Sequence, residues 1–413
     1  MRKTLCAITL SVAVLVALIF PFASTAYAEA SSPETDFTAE SDGDYVRITG
    51  YVGPGGDVVV PDTIRGKTVK YIGDYAFSGK TNLKTLVLPD GVTHIGNQAF
   101  GGCSSLTAID LGDGLQYIGD YAFFFCSSLA DVDIPDSVVS IGDSAFVFCR
   151  SLVGVTVPDG VTVLRDFTFQ NCSSLAEVRI SENITAVGGY AFYDCSSLES
   201  ISIPEGVAVI GPWAFGYCLS LEDVAIPGTV TDIGHGAFAG CSSLKSVGFL
   251  GDAPAVEDRW ADTGGETSVY YIEGKTGFDT PYWSGIGAVP VTAPGIPTGL
   301  EASPGNGTVT LSWTAPSSGN AITYEIWFGT DENGAGWQPA DKTGACTSTV
   351  SGLEPDTTYY FGVKAVNIAG ESDFTTISAM AEDEGEYMLT AALFGIVAAM
   401  VIVTIWAAAR PKR

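Results

Sequence analysis

A phenylalanine returns every 23 residues, at Phe77, Phe100, Phe123, Phe146, Phe169, Phe192, Phe215 and Phe238, with no insertion or deletion between copies. A fixed period this short is the strongest constraint on the fold, because such a unit cannot bury an apolar face alone and must stack on its neighbours. In the same register run Cys103, Cys126, Cys149, Cys172, Cys195, Cys218 and Cys241, each followed three residues later by a leucine, from Leu106 to Leu244. The segment LADVDIP (129–135) has Leu129, Val132 and Ile134 apolar and Asp131 and Asp133 polar. This alternation predicts a short strand with one buried face, stopped by Pro135. Val138, Ile141, Gly142 and the Ala145-Phe146 pair then predict a turn and a return stroke to Cys149. Stacked copies of that circuit predict a repeat solenoid with a parallel β-ladder along one side.

The cysteines could be metal ligands, disulfides, nucleophiles or packing residues. Lys80 stands at the cysteine position of the first copy without interrupting the repeat. Strands about 4.8 Å apart bring neighbouring Cα atoms within disulfide range, so distance does not decide. Side chains stacked in register, however, point alongside one another. The expectation is therefore free, buried thiols packed as small hydrophobes, with no cofactor and no metal.

The recurring pattern of Leu, two apolar strand residues, Pro, Val, Ile-Gly, Ala-Phe, Cys and Ser-Ser-Leu resembles the BspA-type leucine-rich repeats over about residues 51–249. Residues 44–69 resemble that family's opening unit, and FLGDAPAV from Phe249 with SVYYIEGKTGF from Ser268 its closing unit. The resemblance implies a leucine-rich repeat solenoid on the surface of a bacterium, an archaeon or a protist, with adhesion or binding as its work. Departures are local: Arg165 replaces a glycine, and Gly112 and Ser181 replace the proline.

From Pro294 to Ala381 the period vanishes and short strands alternate with Gly, Ser, Pro and Asn, which predicts an all-β sandwich. TVTLSWTAP places Trp313 on an early strand, ITYEIWF follows with Tyr324, and LEPDTTYYFGVKAVNIAGES closes the segment. These motifs resemble the fibronectin type III fold, which implies that Tyr359 is its corner tyrosine. No Arg-Gly-Asp tripeptide occurs, and Cys346 has no second cysteine in this segment.

Arg2 and Lys3, the apolar run from Leu5 to Phe20 and Ala26-Tyr27-Ala28 predict a secretory signal peptide over 1–28. Residues 387–409 carry no charge and reach about 34 Å as a helix, enough to span a bilayer. The basic tail 410–413 predicts a cytoplasmic C-terminus and an outward-facing N-terminal side. The predicted organisation is a signal peptide (1–28), an N-terminal cap with the first repeat (29–73) and the solenoid (74–250). A C-terminal cap and linker (251–292), the fibronectin type III domain (293–381), an acidic linker (382–386), a transmembrane helix (387–409) and the tail complete it. All 47 acidic residues fall between signal and helix, whereas five of the 19 basic ones flank them. The middle of the chain is therefore more acidic than the net −28 of the whole, which argues against nucleic-acid partners.

Catalytic signatures are scarce. His94 and His235 stand about six repeats apart, on the order of 30 Å, and are expected to be surface-loop residues. Asp262-Thr263-Gly264 reads as a turn, because aspartic-protease chemistry needs a second such carboxylate. The outward strand positions, among them Asp110, Asp131, Asp133, Glu177 and Asp223, form an acidic face poor in binding hot spots. Large rings gather instead beside the Ala-Phe pair, at Tyr121, Phe124, Phe125, Phe148, Phe167, Tyr190, Tyr193, Trp213 and Tyr217. Tyr121, Tyr190 and Trp213 are the predicted ligand contacts. The chain reads as a non-enzymatic, membrane-anchored surface protein that binds a protein or glycan on another cell or in the matrix. A structural envelope component is the alternative, and an enzyme with its site in the caps or sandwich is a weaker one.

Overall fold

The computed structural model describes residues 31–264, 267–279, 282–320 and 322–382, which fall into two compact units dividing between Pro290 and Val291. The predicted signal peptide and transmembrane helix lie outside the described residues. Among the described residues no helix is long and apolar enough to cross a membrane.

In the first unit the strand after each motif leucine forms the expected parallel ladder. Gly56–Val59, Leu83–Val87, Ala108–Asp110 and Asp131–Val132 make one sheet; Gly154–Thr156 pairs with Glu177–Arg179. Ser200–Ser202, Asp223–Ile226, Ser246–Phe249, Ser268–Ile272 and Ile286–Val291 make another, with Tyr282–Trp283 on its edge. The return stroke is itself a strand and builds a second parallel ladder that the sequence pattern did not reveal. Its members include His94–Ile95, Tyr117–Ile118, Ser140–Ile141, Val163–Leu164 and Ala186–Val187. Each is two residues long with one inward side chain, too short for alternation to register. Equivalent residues of successive copies pair directly, as Ile95 does with Ile118.

Between the ladders lies the core. The eight repeat phenylalanines are fully buried. Their rings form one continuous stack with centroids 5.1 Å apart at Phe77–Phe100 and no more than 5.5 Å apart at Phe169–Phe192. Tyr51 stacks on Phe77 at 5.2 Å, and Trp260 turns edge-on to Phe238 at 90°, so different rings end the column at its two ends. Beside the column each cysteine thiol donates to the carbonyl of the phenylalanine 26 residues earlier, as Cys149 does to Phe123 at 3.2 Å. All seven of these thiols are free and buried. Burial pushes Cys103 up to about 11 and Cys172 up to about 12. Burial likewise holds Cys126, Cys149, Cys195 and Cys218 well above the ordinary value near 9. Neutral thiols of this kind are poor nucleophiles and poor metal ligands.

One junction of the second ladder is irregular. A Cβ on Gly96, Gly119, Gly142, Gly188, Gly211 or Gly234 would lie 2.5 to 2.7 Å from the preceding turn, so the close stacking of turns requires glycine there. At the same position the turn between those of Gly142 and Gly188 carries Arg165, and the second ladder stops between Ser140–Ile141 and Val163–Leu164. A chain of carboxylate and amide caps runs along the same turns. Asn97, Asp120 and Asp143 each donate their backbone N–H to the side chain 23 residues earlier, and Gly189 does so to Asp166. Thr168 replaces the usual alanine in this copy and donates its hydroxyl to the Arg165 carbonyl at 2.8 Å. The side chain that excludes close stacking accounts for the seam.

The second unit is an all-β sandwich. One sheet holds Thr298–Gly305, Thr308–Thr314 and Thr347–Ser351; the other holds Gln338–Thr343, Thr323–Gly329, Thr358–Asn367, Gly370–Glu371 and Thr375–Met380. Trp313 packs edge-on against Tyr324 at 5.2 Å within a core that includes Val309, Leu311, Ile326, Phe361 and Val363. The Tyr359 hydroxyl accepts the Glu354 N–H at 3.2 Å, the corner contact expected of that residue.

Candidate functional site

The turn carrying each Ala-Phe pair passes twice through left-handed backbone. Tyr121 and Phe125 flank one pair with φ of 56° and 60°, and their N–H groups donate to Asp143 O and Val147 O of the next copy, both at 2.9 Å. The inward Phe123 N–H donates likewise to Ala145 O at 2.8 Å. The repeat geometry therefore imposes positive φ at two flanking positions whatever residue occupies them. Glycine meets the requirement at Gly79, Gly102, Gly236 and Gly240. Tyr75, Tyr121, Phe125, Phe148, Phe167, Tyr190, Trp213 and Tyr217 meet it with a large ring. Left-handed backbone costs a residue with a Cβ roughly 1–2 kcal/mol, and strain of this kind clusters at functional sites.

The rings form two groups, one on each side of the seam. In the first, Tyr121, Phe124, Phe125 and Phe148 are joined by edge and tilted contacts of 4.6 to 6.2 Å. The Arg150 guanidinium sits 5.3 Å from the Phe148 ring centre. In the second, Phe167, Tyr190 and Trp213 stack in sequence at 5.0 and 6.3 Å, with Tyr193 edge-on and Tyr217 parallel to Trp213. Gly216, Gly236 and Gly240 are the surfaces on which Trp213 and Tyr217 lie, since a Cβ on any of them would collide with those rings.

Of the predicted contacts, Tyr121 is exposed in the first group, whereas Tyr190 and Trp213 are half-buried neighbours in the second. The structure thus brings two of the three together. Burial raises the Tyr193 hydroxyl above its ordinary value, helped by Tyr217, Asp194 and Tyr190, so it remains a neutral donor. Among the outward strand carboxylates, Asp133 is raised by burial and then by Asp131, Asp136, Asp110 and Asp113, a mutual crowding of like charge. Among the described residues no group of three or more His, Cys, Asp or Glu side chains could hold a metal ion.

Sequence reasoning missed two features. Tyr75, at 59% the most exposed ring of the row, belongs to the first copy and lay outside the middle repeats that drew attention. The second concerns His94, which is not a loop residue: it lies on the second ladder, stacked on Tyr117 at 4.5 Å and tilted against Tyr71 at 5.3 Å. Lys70 lies over Tyr45 at 4.2 Å and Arg47 over Tyr71 at 5.4 Å. Burial, then Lys70 and Arg47, lowers the His94 pKa. The 23-residue spacing of Tyr71, His94 and Tyr117 was the available signal, visible only once the return stroke is known to be a strand.

A stacked parallel solenoid with a ring-bearing turn surface, followed by a β-sandwich, defines a modular leucine-rich repeat protein. Residues 62–176 and 162–258 match the BspA type leucine rich repeat region, and residues 295–380 match the fibronectin type III domain. The chain carries both modules. A leucine-rich repeat protein of T. pallidum shares 28% identity over 59% of this chain and 87% of its own, with a TM-score of 0.35. One from Bacteroides ovatus shares 23% over 64% and 76%, with a TM-score of 0.48. A leucine rich cell surface protein of Faecalibacterium prausnitzii shares 24% over 63% and 96%, with a TM-score of 0.37. Chitinase A1 of Niallia circulans is 31% identical over 125 residues, which is 28% of this chain and 16% of that enzyme.

Proposed function

We propose that the protein is a non-enzymatic cell-surface receptor or adhesin that binds a protein or glycan of another cell or matrix through the ring-bearing turns of its solenoid. The observation that carries this reading is the placement of large rings at left-handed positions that glycine fills without strain in other copies. Tyr121 is 41%, Phe125 39% and Tyr217 43% exposed, so these rings offer the amphipathic, low-entropy contact area that interfaces favour. The BspA-type repeats support a surface location, and the apolar segment 387–409 supports an anchor that leaves residues 29–386 outside.

The test is a binding screen of residues 29–386 against arrays of cell-surface proteins and glycans. Ligands captured by the wild type should be lost when Tyr121, Tyr190 and Trp213 are replaced together by alanine, with little change in Tm. A Tm loss as large as that of a core variant would instead assign these rings to packing. Concentration-dependent lateral assembly of the same segment, with no captured ligand, would favour an envelope component. Protease applied to intact cells should remove the solenoid and spare the basic tail; recovery of intact protein from the soluble fraction would refute the anchor.

A further inference from the structure

The sandwich carries a second feature, independent of the solenoid. On its larger sheet the side chains of Tyr324, Ile326 and Phe328 contribute to or pack against the core, while Glu325, Trp327 and the Lys364 and Gly362 of the neighbouring strand face the other way. That outer face is not flat. A cleft of about 490 Å³ opens there, walled by Trp327, Trp337 and Phe374. Phe374 meets Trp327 at 76° and Trp337 at 71°, so the rings form a corner and not a stack. Trp337 reaches the cleft from the loop before Gln338–Thr343. Its indole N–H donates to Asp331 O at 2.7 Å, and Gly329 and Gly362 leave the space its ring occupies, since a Cβ on either would collide with it. Five independent local choices therefore converge on one concave, ring-lined surface of the size that small ligands occupy.

The charges around the cleft narrow the ligand. Lys364 lies 5.8 Å from the Trp327 ring centre and 5.5 Å from that of Phe374, so the protein's own ammonium already takes the cation position over those faces. It pairs with Glu325 at 3.2 Å and with Glu371. Burial works against its charge, but the hydrogen bond to Glu371 and the charge of Glu325 outweigh it and raise its pKa. A second cation would meet an ammonium already in place. An anion would meet the Glu332 carboxylate at the rim and a Lys364 charge already paired with Glu325 and Glu371. What remains is a neutral ligand with one apolar face for the rings and a hydroxylated edge for the rim groups, Glu332, Asn333 and Thr376. We infer that this cleft is a binding site for a neutral pyranose unit, stacked on the Trp337–Phe374 corner and hydrogen-bonded at its edge.

The test uses the whole chain in detergent and three neutral probes, the hexasaccharides of β-1,4-glucose, β-1,4-N-acetylglucosamine and α-1,6-mannose, with the cationic β-1,4-glucosamine hexamer alongside. Binding is read by titration calorimetry and by the shift of tryptophan emission. At least one neutral probe should bind, and Trp337→Ala should weaken it by about tenfold or more, as loss of an anchoring ring does. Asn333→Ala, an exposed change in the rim, should weaken it several-fold with Tm unchanged, so that a folding defect in Trp337→Ala cannot imitate the result. Val139→Ala, an exposed change in the solenoid outside its ring-bearing turns, should leave it unaltered. The inference is overturned if no neutral probe binds, if binding survives Trp337→Ala, or if the cationic hexamer binds more tightly than its acetylated counterpart.

Discussion

Replacing Gly142 by alanine tests the link between glycine, close stacking and the second ladder. The new methyl would sit 2.5 Å from the Asp120 N and Gly119 C atoms, where ordinary contact begins at 3.4 Å. Relief requires the turns to part by about 0.9 Å, since backbone atoms cannot give way as a flexible side chain can. Two hydrogen bonds cross that gap, Gly142 N–H to Ile118 O and Asp143 N–H to Asp120 Oδ1, both at 2.9 Å. Parting of that size carries both beyond hydrogen-bond range. At about 1 kcal/mol each the loss is roughly 2 kcal/mol, offset by the ~0.4–1 kcal/mol that removing a glycine gains from the unfolded chain. The net expectation is a destabilisation of ~1–2 kcal/mol. Gly154→Ala is the matched control: its Cβ would lie 3.7 Å from the nearest atom, Glu177 O, and it should be neutral or slightly stabilising. Urea denaturation of residues 29–386 measures the difference, and amide hydrogen exchange at residue 142 locates it. If the two variants have the same midpoint, the steric account of the seam at Arg165 is wrong.

The converse change, Arg165→Gly, should close the seam and slow exchange of the amide at residue 165; unchanged exchange would place the cause elsewhere. Phe146→Ala opens a cavity inside the ring column and should cost about 3–5 kcal/mol in denaturation, whereas Phe146→Leu should cost much less. The thiols make stability fall in alkali. Unfolded cysteines lose their protons near pH 8.5, while in the fold burial keeps Cys103 protonated to about 11 and Cys172 to about 12. Protons are therefore released on unfolding between those limits. Stability is full below pH 8.5 and should drop by ~1.4 kcal/mol per thiol for each pH unit above it, and a midpoint independent of pH up to 10 would contradict this. Tyr359→Phe should cost the sandwich ~1 kcal/mol or more by leaving the Glu354 N–H without its acceptor, measured as a fall in the Tm of that unit.

What could be read from the sequence followed from how far apart the cooperating residues lie along the chain. The phenylalanine column, the buried thiols and the strand after each leucine all repeat at 23 residues, and stacking converts that period directly into neighbours. Tyr359 was legible through the resemblance of its LEPDTTY motif to the fibronectin type III fold, and the structure supplies its partner, the Glu354 N–H, within that same short segment. The second ladder was hidden because Ile118 or Ile141 alone, without a flanking alternation, carries no strand signal. Arg165 stood out as a departure, yet only the backbone approach at Gly142 and Gly188 reveals that it interrupts the second ladder. Tyr190 and Trp213 were legible as neighbours, but the division of the ridge into two groups was not, since it depends on Ser144 and Asn171 standing where rings stand elsewhere. Trp327, Trp337 and Phe374 share no period at all; sheet pairing alone assembles them.

The seam between Ile141 and Val163 also determines how the solenoid would carry a load. Tension along the axis is shared at most other junctions by two sheet ladders and the turn bonds, and between Glu177–Arg179 and Ser200–Ser202 by the second ladder and the turn bonds. At this junction the strand after each motif leucine is also unpaired, Asp131–Val132 ending one sheet and Gly154–Thr156 beginning the next. The join rests on the contact of Phe146 with Phe169, on the turn bonds from the Ser144, Phe146 and Phe148 N–H groups to Asp166, Thr168 and Gln170 O, on the Cys172 thiol to Phe146 O, and on the single bonds Val153 N–H to Ala130 O and Ser174 N–H to Arg150 O. Stretching should therefore begin there, widening the distance between the two groups of rings before either half of the repeat array unravels. In a protein held at one end and gripping a target at the other, that weak point would act as a compliant joint, and force spectroscopy should find its yield step abolished in Arg165→Gly.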